Sequence, residues 1–341
     1  MSNFAAMENL DYDIVIVGCG PIGIACGLAA QKNKLSYLIL EKGTLVNSLY
    51  HYPNNMRFFS TSEKLEINDV PFISNNPKPT KNEALEYYRR IASSNELNIH
   101  LFEEVLRVDN SNDFHQIITN KRKYTSKYTI IATGFYDIPN LLNIPGEELS
   151  KVSHYYHDPH YYATQNIVIV GASNSAVDAA LEIYRKGGNV SMIIRGSEIG
   201  ERVKYWVKPD ILNRIKEGSI KAYYNAQLKE IKEHEVVFED LEGVKNIEND
   251  FVLALTGYQP NLPFLKSMGI EISNDKNKLP QYAEDTMETN VSNLFLAGVI
   301  CGGMQTHIWF IENSRIHAKL ITDCILKKEA KDNSSFSKAI S

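Results

Sequence analysis

The sequence is poor in cysteine, and the few cysteines it has are far apart. Only four occur among 341 residues, and no two of them form a C-x-x-C pair: Cys19, Cys26, Cys301 and Cys324. Structural zinc sites and thioredoxin-type redox pairs both depend on closely spaced cysteines. The sequence therefore argues against either feature within this chain, and we predict no metal site.

The chain also lacks a cluster of basic residues and a long uninterrupted apolar run. Its net charge is −5, which gives no electrostatic footprint for nucleic acid. The uncharged stretch at residues 14–31 contains four glycines and a proline, so it does not predict a membrane span. Residues 1–11 have neither the basic nor the apolar region of a signal peptide. We expect a cytoplasmic protein of two domains that binds neither nucleic acid nor membrane.

What the sequence does contain is two nucleotide-binding patterns. The first follows an apolar strand, residues 13–17, and reads G-x-G-x-x-G with Gly18, Gly20 and Gly23. Such glycines let a pyrophosphate lie against backbone N–H groups at the N-terminus of a helix. Gly18 makes the tight turn, Gly20 admits the phosphates, and Gly23 lets the helix pack closely on the strand.

An acidic residue at the end of the next strand supports this interpretation. Residues 38–40 are apolar and lead into Glu41, 23 residues after the first glycine, where a carboxylate accepts hydrogen bonds from a ribose. We also place Pro21 and Ile22, within the turn, and Lys42 among the cofactor-binding residues. Such a pattern near the N-terminus is typical of FAD-binding folds. The same residues could serve NAD, and an ordinary glycine-rich turn is the simpler alternative.

The second pattern is less regular than the first. It follows the apolar stretch 166–170, and only one of the three glycines remains. Small side chains still keep the turn tight and the following helix close to the strand. The predicted binding residues here are Gly171, Ser173, Asn174, Ser175 and Ala176.

A basic residue ends the second strand of this pattern. Residues 190–194 are followed by Arg195, where an NAD site would favour an acid. A cation there would pair with the 2′-phosphate of NADPH, a contact worth roughly 1.5 to 3 kcal/mol. Arg202 and Lys204 follow shortly and could add to the pocket. We therefore predict NADPH, with a solvated strand-end arginine as the alternative.

The remaining elements predict one domain inserted within another. A helix is expected over 82–95, and apolar strands ending in small-residue turns occur at 129–134 and 252–257. The chain then returns with a strand over 293–299 and a final helix from about 306 to 327, followed by a polar tail.

We predict an α/β fold with two Rossmann-like dinucleotide-binding domains. Residues 1–140 and 258–341 would form a split FAD domain, and residues 141–257 an NADPH domain inserted in it. With these features in view, the chain resembles the two-dinucleotide-binding-domain flavoproteins, the superfamily of low-molecular-weight thioredoxin reductases. Within that superfamily it resembles most the bacillithiol disulfide reductases.

The likeness covers nearly the whole chain. Besides the two turns, it is carried by Tyr52-Pro53, Phe58-Phe59-Ser60, Lys64-Leu65, Asp69-Val70-Pro71-Phe72-Ile73, Asp178-Ala179-Ala180-Leu181 and Phe310-Ile311-Glu312-Asn313. The resemblance implies FAD and NADPH as cofactors, a low-molecular-weight disulfide such as bacillithiol disulfide as substrate, and a homo-oligomer. It further implies that residues at strand ends and in one long loop reach the flavin cofactor: Thr133, Gly134, Gly298, Val299, His51 and Tyr52. Packing of His51 and Tyr52 beneath the loop is the alternative.

One departure concerns the thiol chemistry. The reductases resemble Gly-Gly-Gly-Pro-Cys-Gly at the first turn, with a cysteine proposed to be redox-active, and this chain has Ile22 there. Two candidates for a catalytic thiol remain. Cys19 stands at a helix N-terminus, where the pKa of a thiol can be lowered, and Cys301 follows the strand that relatives bring past the flavin. In the simpler interpretation both are packed small residues, as we expect for Cys26 and Cys324.

The residues leave other functions open. Residues 154–159 resemble the histidine-containing linker of flavin monooxygenases, although the preceding Phe-x-Gly of that motif is missing. A ferredoxin or flavodoxin reductase needs no cysteine. A flavin-based redox sensor would bind both cofactors without turnover. In every case the flavin supplies the chemistry and the protein supplies position and electrostatics.

Overall fold

The fold was analysed in a computed structural model, which describes residues 11–110 and 114–340. The chain divides into two compact units. The first contains the described residues up to His51, residues 60–138 and the chain from Gln259 onward. The second contains residues 52–59 and 139–258. The region in which we expected no signal peptide lies, except for Asp11, outside the described residues.

Strands and helices are numbered in chain order over the described residues. The strands are β1 (Tyr12–Val17), β2 (Tyr37–Leu40), β3 (Ile99–His100), β4 (Val105–Asn110), β5 (His115–Thr119), β6 (Lys123–Ile131), β7 (Ile138–Pro139), β8 (Val152–Ser153), β9 (Asn166–Val170), β10 (Asn189–Ile193), β11 (Lys221–Tyr223), β12 (Gln227–Ile231), β13 (Glu235–Asp240), β14 (Gly243–Glu248), β15 (Phe251–Ala254), β16 (Tyr258–Gln259) and β17 (Leu294–Leu296). The helices are α1 (Pro21–Lys32), α2 (Asn47–Tyr50), α3 (Ser62–Leu65), α4 (Lys81–Ser94), α5 (Asn174–Arg185), α6 (Lys208–Lys216), α7 (Leu262–Ser267), α8 (Ile311–Ser314) and α9 (Ile316–Ile340). Short 3₁₀ helices cover Pro159–Tyr162 and Gly298–Gly302.

The first unit is built on a seven-stranded sheet. Strands β3, β2, β1 and β6 lie side by side in parallel. The long strand β6 then shares its other edge between two partners: residues 123–126 pair with antiparallel β5, and residues 129–131 pair with parallel β17. Strand β2 and the last four residues of β1 are apolar and buried, as expected for parallel strands covered on both faces.

The second unit has its own parallel sheet, in the order β11-β10-β9-β15-β8. Helix α5 packs on β9 and β10 through a buried apolar face that includes Ala176, Ala180 and Ile183. An antiparallel sheet of β12, β13 and β14 supports a second cluster around Phe238. Each unit therefore carries the strand–turn–helix arrangement of a dinucleotide-binding fold, and the predicted fold class is confirmed.

The predicted last helix is wrong at both ends. Residues 306–310 are not helical, because the side chain of Asn313 accepts a hydrogen bond from Phe310 N at 2.7 Å and donates one to Ile308 O at 2.8 Å. These bonds fix the preceding chain outside the helix, and Phe310 is extended, with φ −129°. At the other end α9 continues through the predicted polar tail to Ile340. The stretch begins with the good helix formers Glu329, Ala330 and Lys331, and Glu329 accepts a hydrogen bond from Tyr128 at 2.8 Å.

None of the helices in residues 11–110 and 114–340 is long and apolar enough to cross a membrane. The same ranges hold no group of three or more histidine, cysteine or acidic side chains placed to bind a metal.

Candidate functional site

The first glycine turn, which joins β1 to α1, is tightly packed against neighbouring backbone atoms. Gly18 has φ +106°, and a Cβ there would lie 2.6 Å from the Ala132 carbonyl oxygen. A Cβ on Gly23 would lie 1.9 Å from the carbonyl oxygen of Gly18. The fold itself thus requires glycine at both positions. At Gly20 a Cβ would meet no atom within 4 Å, so that glycine borders open space.

The open space at Gly20 lies at the start of α1. No side chain caps this helix, and no acidic residue lies in its first turn. Its first N–H groups, with the positive end of the helix dipole, are therefore available to an anion. This is a cradle that a side chain would fill and that a pyrophosphate fits.

Glu41 stands beside the turn as a buried carboxylate. Its Oε2 accepts a hydrogen bond from Cys19 N at 2.8 Å, and its Oε1 accepts one from Gly43 N at 3.0 Å. Burial raises the pKa of the Glu41 carboxyl. A carboxylate has about four acceptor positions, so two remain for the hydroxyls of a ribose.

Thr133 adds an orphaned polar atom to the same place. Its Oγ1 is buried and has no hydrogen-bond partner among the described residues. Its Cα would lie 3.2 Å from a Cβ on Gly18, and the following Gly134 borders open space with φ +73°. Buried hydroxyl groups are nearly always hydrogen-bonded, so this one fits a polar ligand in the turn. The residues of the first turn therefore fit FAD.

The end of β17 meets the start of α1. A Cβ on Gly298 would lie 3.4 Å from Ile22, whose side chain is buried against it, and Val299 is partly buried beside Gly298. Pro21, also buried, occupies the first position of α1. The structure thus brings Pro21, Ile22 and Gly298 to the turn, as a shared cofactor site requires.

Three further predicted residues of this region have partners of their own. Lys42 forms an ion pair with Asp137 at 2.9 Å. The His51 carbonyl accepts a hydrogen bond from Tyr136 at 3.4 Å. Tyr52 is partly buried and belongs to the second unit, whereas His51 ends a segment of the first. Contacts of Lys42, His51 and Tyr52 with a cofactor stay a prediction.

Both candidate thiols are buried. Burial raises the pKa of Cys19, and the nearby Glu41 carboxylate raises it further. This direction is the opposite of the one expected at a helix N-terminus. Burial also raises the pKa of Cys301. Cys301 Sγ lies 3.9 Å from His317 Nδ1.

His317 is a residue that no sequence motif indicated. It is 1% exposed, its Nδ1 accepts a hydrogen bond from Gly298 N at 3.1 Å, and burial lowers its pKa to about 4. Its Nε2 has no hydrogen-bond partner within the described ranges. The same holds for Glu312 Oε2, whose 3.9 Å approach to Lys64 is an ion pair too long for a hydrogen bond.

The second turn joins β9 to α5 in the same manner as the first. Gly171 has φ +135°, and a Cβ there would lie 2.6 Å from the Leu255 carbonyl oxygen and 3.2 Å from the Ala176 methyl group. Helix α5 begins with the exposed Ser173 and Ser175, without a side-chain cap and without an acid in its first turn. The turn therefore fits a second pyrophosphate.

The basic residues after β10 differ in their surroundings. Arg195 is exposed and forms no ion pair with any described residue. Lys204 Nζ lies 2.7 Å from Asp178 Oδ2, and its side chain is only 11% exposed. The charge of Lys204 is thus already balanced, whereas that of Arg195 is available to a phosphate. Asp178 is a partner that the sequence analysis did not assign to Lys204.

Comparisons with known proteins agree with this geometry. Residues 15–298 match the family described as pyridine nucleotide-disulphide oxidoreductase. A curated relative from Bacillus subtilis, named bacilliredoxin reductase Bdr, is 42% identical over 317 residues, which cover 92% of this chain and 98% of the relative.

Solved structures extend the likeness to the fold. The bacillithiol disulfide reductase Bdr (YpdA) of Staphylococcus aureus is 39% identical with a TM-score of 0.91, covering 93% of this chain and 98% of its own. The Bacillus cereus enzyme of the same name is 42% identical with a TM-score of 0.91, covering 93% and 99%. A thioredoxin reductase from T. acidophilum, 21% identical with a TM-score of 0.73, shares the fold over 94% of this chain and 99% of its own.

Proposed function

Since this chain belongs to the pyridine nucleotide-disulphide oxidoreductase family and is a flavin-dependent disulfide reductase using FAD and NADPH, we propose that its substrate is bacillithiol disulfide. The observation that carries this proposal is the match, over more than nine-tenths of both chains, to two bacillithiol disulfide reductases. The monooxygenase and ferredoxin reductase alternatives are not favoured, because four proteins of those kinds are 19% to 27% identical to this chain, against 39% and 42% for the two bacillithiol disulfide reductases.

The reaction consumes NADPH and a proton and cleaves one S–S bond, giving NADP⁺ and two thiols. FAD, when bound, accepts a hydride from NADPH and passes the electron pair to the disulfide. The chain binds and orients the reactants. In our proposal the turn at Gly20 and the Glu41 carboxylate bind FAD, the turn at Gly171 holds the NADPH pyrophosphate, and Arg195 pairs with the 2′-phosphate.

Of the two candidate thiols, we propose Cys301 as the one that reacts with the substrate. The nearby Glu41 carboxylate disfavours a thiolate at Cys19. Cys301 instead follows the end of β17, where Gly298 borders Ile22 and the first turn. The Cys301 thiolate would attack one substrate sulfur and release the first thiol. The electron pair would then cleave the mixed disulfide, restore the Cys301 thiolate and release the second thiol.

The cysteine assignment is tested with three serine variants. Cys301→Ser should lose disulfide reduction while still passing electrons from NADPH to ferricyanide. Cys19→Ser and the control Cys324→Ser should keep both activities. Disulfide reduction at the wild-type rate in Cys301→Ser would reject Cys301 as the thiol that attacks the substrate. Loss of disulfide reduction only in Cys19→Ser would assign that attack to Cys19.

The substrate is tested by anaerobic stopped-flow measurement of flavin absorbance. The protein is reduced with NADPH and then mixed separately with bacillithiol disulfide, oxidised flavodoxin and air-saturated buffer. We expect rapid reoxidation by the disulfide alone. Slow reoxidation by the disulfide together with rapid reoxidation by flavodoxin or oxygen would reject the proposed substrate.

A protein disulfide is the second candidate substrate. It is favoured by the name of the Bacillus subtilis relative, bacilliredoxin reductase. Oxidised bacilliredoxin, added in the same stopped-flow experiment at equal concentration, separates the two. Faster reoxidation by the protein than by bacillithiol disulfide would favour this second function.

We also propose that the protein forms a homo-oligomer. We further propose that it acts in the cytoplasm, where NADPH is available as the reductant. Light scattering coupled to size-exclusion chromatography of the FAD-bound protein tests the first point. A mass equal to one chain of 38.6 kDa would reject it. Cell fractionation tests the second, and recovery of the protein outside the cytoplasmic fraction would reject it.

A further inference from the structure

Two exposed aromatic side chains of the second unit, Phe59 and Tyr205, each contact a third, Trp206. Phe59 and Trp206 have ring centroids 5.4 Å apart at 31°, and Tyr205 and Trp206 have centroids 4.8 Å apart, edge to face. Tyr205 is 73% exposed, Phe59 is 58% exposed and Trp206 is 36% exposed. We call these three residues the aromatic cluster. Contiguous exposed apolar groups mark binding surfaces, whereas single exposed apolar residues are ordinary.

The loop that carries the cluster is fastened to the second nucleotide-binding turn. Asn174, the first residue of α5, accepts a hydrogen bond from Lys204 N at 2.8 Å and donates one to Arg202 O at 3.0 Å. Gly200 N donates to the Ala172 carbonyl oxygen at 2.9 Å. A Cβ on Gly200 would lie 2.9 Å from that same oxygen, so the loop lies directly on the turn.

An ion pair holds the loop at a second point. Lys204 Nζ bonds Asp178 Oδ2 at 2.7 Å, one helical turn along α5 from Asn174. Tyr205 and Trp206 follow Lys204 immediately. Their backbone is thus held in place by α5, and their rings need little further ordering when a ligand arrives.

We propose that the aromatic cluster stacks the adenine ring of NADPH. This inference rests on the proposed function, in which Arg195 pairs with the 2′-phosphate. That phosphate is carried by the adenosine ribose, so adenine is the base nearest to Arg195. The loop from Arg195 to Trp206 therefore begins at the 2′-phosphate and ends at the rings. Planar bases gain affinity by stacking on aromatic side chains whatever their hydrogen-bond pattern.

The exposed fraction of each ring indicates its role in the aromatic cluster. Trp206 is the least exposed ring and contacts both others, so it positions Phe59 and Tyr205. Phe59 and Tyr205, the two more exposed rings, contact the base. The cluster contributes to the affinity for every adenine dinucleotide, whereas Arg195 contributes to the choice of NADPH over NADH.

The test is calorimetric titration of the oxidised, FAD-bound protein with NADP⁺ and with 2′,5′-ADP, which lacks the nicotinamide. Tyr205→Ala and Phe59→Ala should each weaken both ligands about tenfold, and Tyr205→Phe should keep wild-type affinity. Tyr161→Ala is the matched control. Tyr161 is also exposed, at 69%, and packs edge to face on Tyr162 and Phe251, at the opposite end of the parallel sheet. The Tyr161→Ala variant should bind NADP⁺ and 2′,5′-ADP with wild-type affinity.

Each outcome decides the proposal. Wild-type affinity for 2′,5′-ADP in both Tyr205→Ala and Phe59→Ala overturns it, and so does a loss confined to NADP⁺, which would assign the rings to the nicotinamide. Equal weakening in Tyr161→Ala also overturns it. Thermal unfolding and flavin content equal to those of the wild type ensure that folding is intact. Failure to reduce bacillithiol disulfide would reject the proposed substrate and leave these binding results unaffected.

Discussion

The two glycines of the first turn predict opposite effects for the same substitution. Gly23 approaches the Gly18 carbonyl so closely that an added Cβ would lie 1.9 Å from the oxygen. Gly20 has φ −72° and ψ 178°, which any residue adopts, and an added Cβ would meet no protein atom within 4 Å. Gly23→Ala should therefore harm folding, and Gly20→Ala should harm cofactor binding alone.

The structure sets the magnitudes. At Gly23 the clash is with backbone, which must move, and overpacking of this kind costs about 2 to 3 kcal/mol. For a unit of this size, that lowers the unfolding temperature by roughly 5 to 10 °C. At Gly20, alanine is the poorer N-cap by roughly 0.5 to 1 kcal/mol. It regains about 0.4 to 1 kcal/mol by restricting the unfolded chain. The unfolding temperature should then stay near that of the wild type.

Both variants are measured as apoprotein and after titration with FAD. Gly20→Ala should unfold with the wild type as apoprotein but bind FAD about tenfold to a hundredfold more weakly, because its methyl group occupies the place of a phosphate. Wild-type FAD affinity in Gly20→Ala would refute the assignment of the cradle. A wild-type unfolding temperature in Gly23→Ala would refute the argument from close packing.

Three further predictions follow from other parts of the chain. Arg195→Ala should raise KM for NADPH ten- to a hundredfold and leave KM for NADH nearly unchanged, and equal effects on both would reject its pairing with the 2′-phosphate. Burial lowers the pKa of His317 to about 4. Between about pH 6.5 and 4 the unfolded chain therefore binds a proton that the folded chain does not. The free energy of unfolding should fall by up to roughly 3 kcal/mol as the pH drops through that window. Urea unfolding of the apoprotein at pH 7 and pH 5 should show a smaller difference for His317→Gln than for the wild type, and identical differences would contradict the buried neutral imidazole. Thr80 caps α4 by accepting a hydrogen bond from Glu83 N, so Thr80→Ala should lower the free energy of unfolding by about 1 kcal/mol without loss of flavin, and an unchanged urea midpoint would show that the cap is not needed.

The sequence predicted the fold best where a local pattern has one physical solution. The strands predicted at 13–17, 166–170 and 190–194 lie at β1, β9 and β10 within one residue at each end, and the helix predicted at 82–95 is α4 shifted by one residue. Continuous apolar runs beside glycine turns leave few alternatives to buried parallel strands. The last helix was misplaced because its start depends on the side chain of Asn313, which no periodicity reveals.

The candidate site was predictable to a similar degree. Glycine spacing located both turns, and Glu41 and Arg195 followed from their places at strand ends. The contact of Ile22 with Gly298 could not be predicted, since 276 residues separate them in the chain. The same applies to His317 beside Cys301 and to Asp178 beside Lys204. A helix N-terminus can lower the pKa of a thiol, but burial, which the turn motif does not encode, raises that of Cys19.

The pairing of β6 with β17 also sets the order in which the two units can fold during synthesis. Every segment of the second unit has left the ribosome once residue 258 has emerged. The sheet of the first unit still lacks β17, whose register on β6 spans residues 294–296. Domains tend to fold in the order in which they are released. The second unit can therefore be native while the first is still incomplete. Until β17 is made, the edge of β6 that it will occupy, at residues 129–131, is unpaired. A chain truncated before Leu294 would keep the second fold and lose the first.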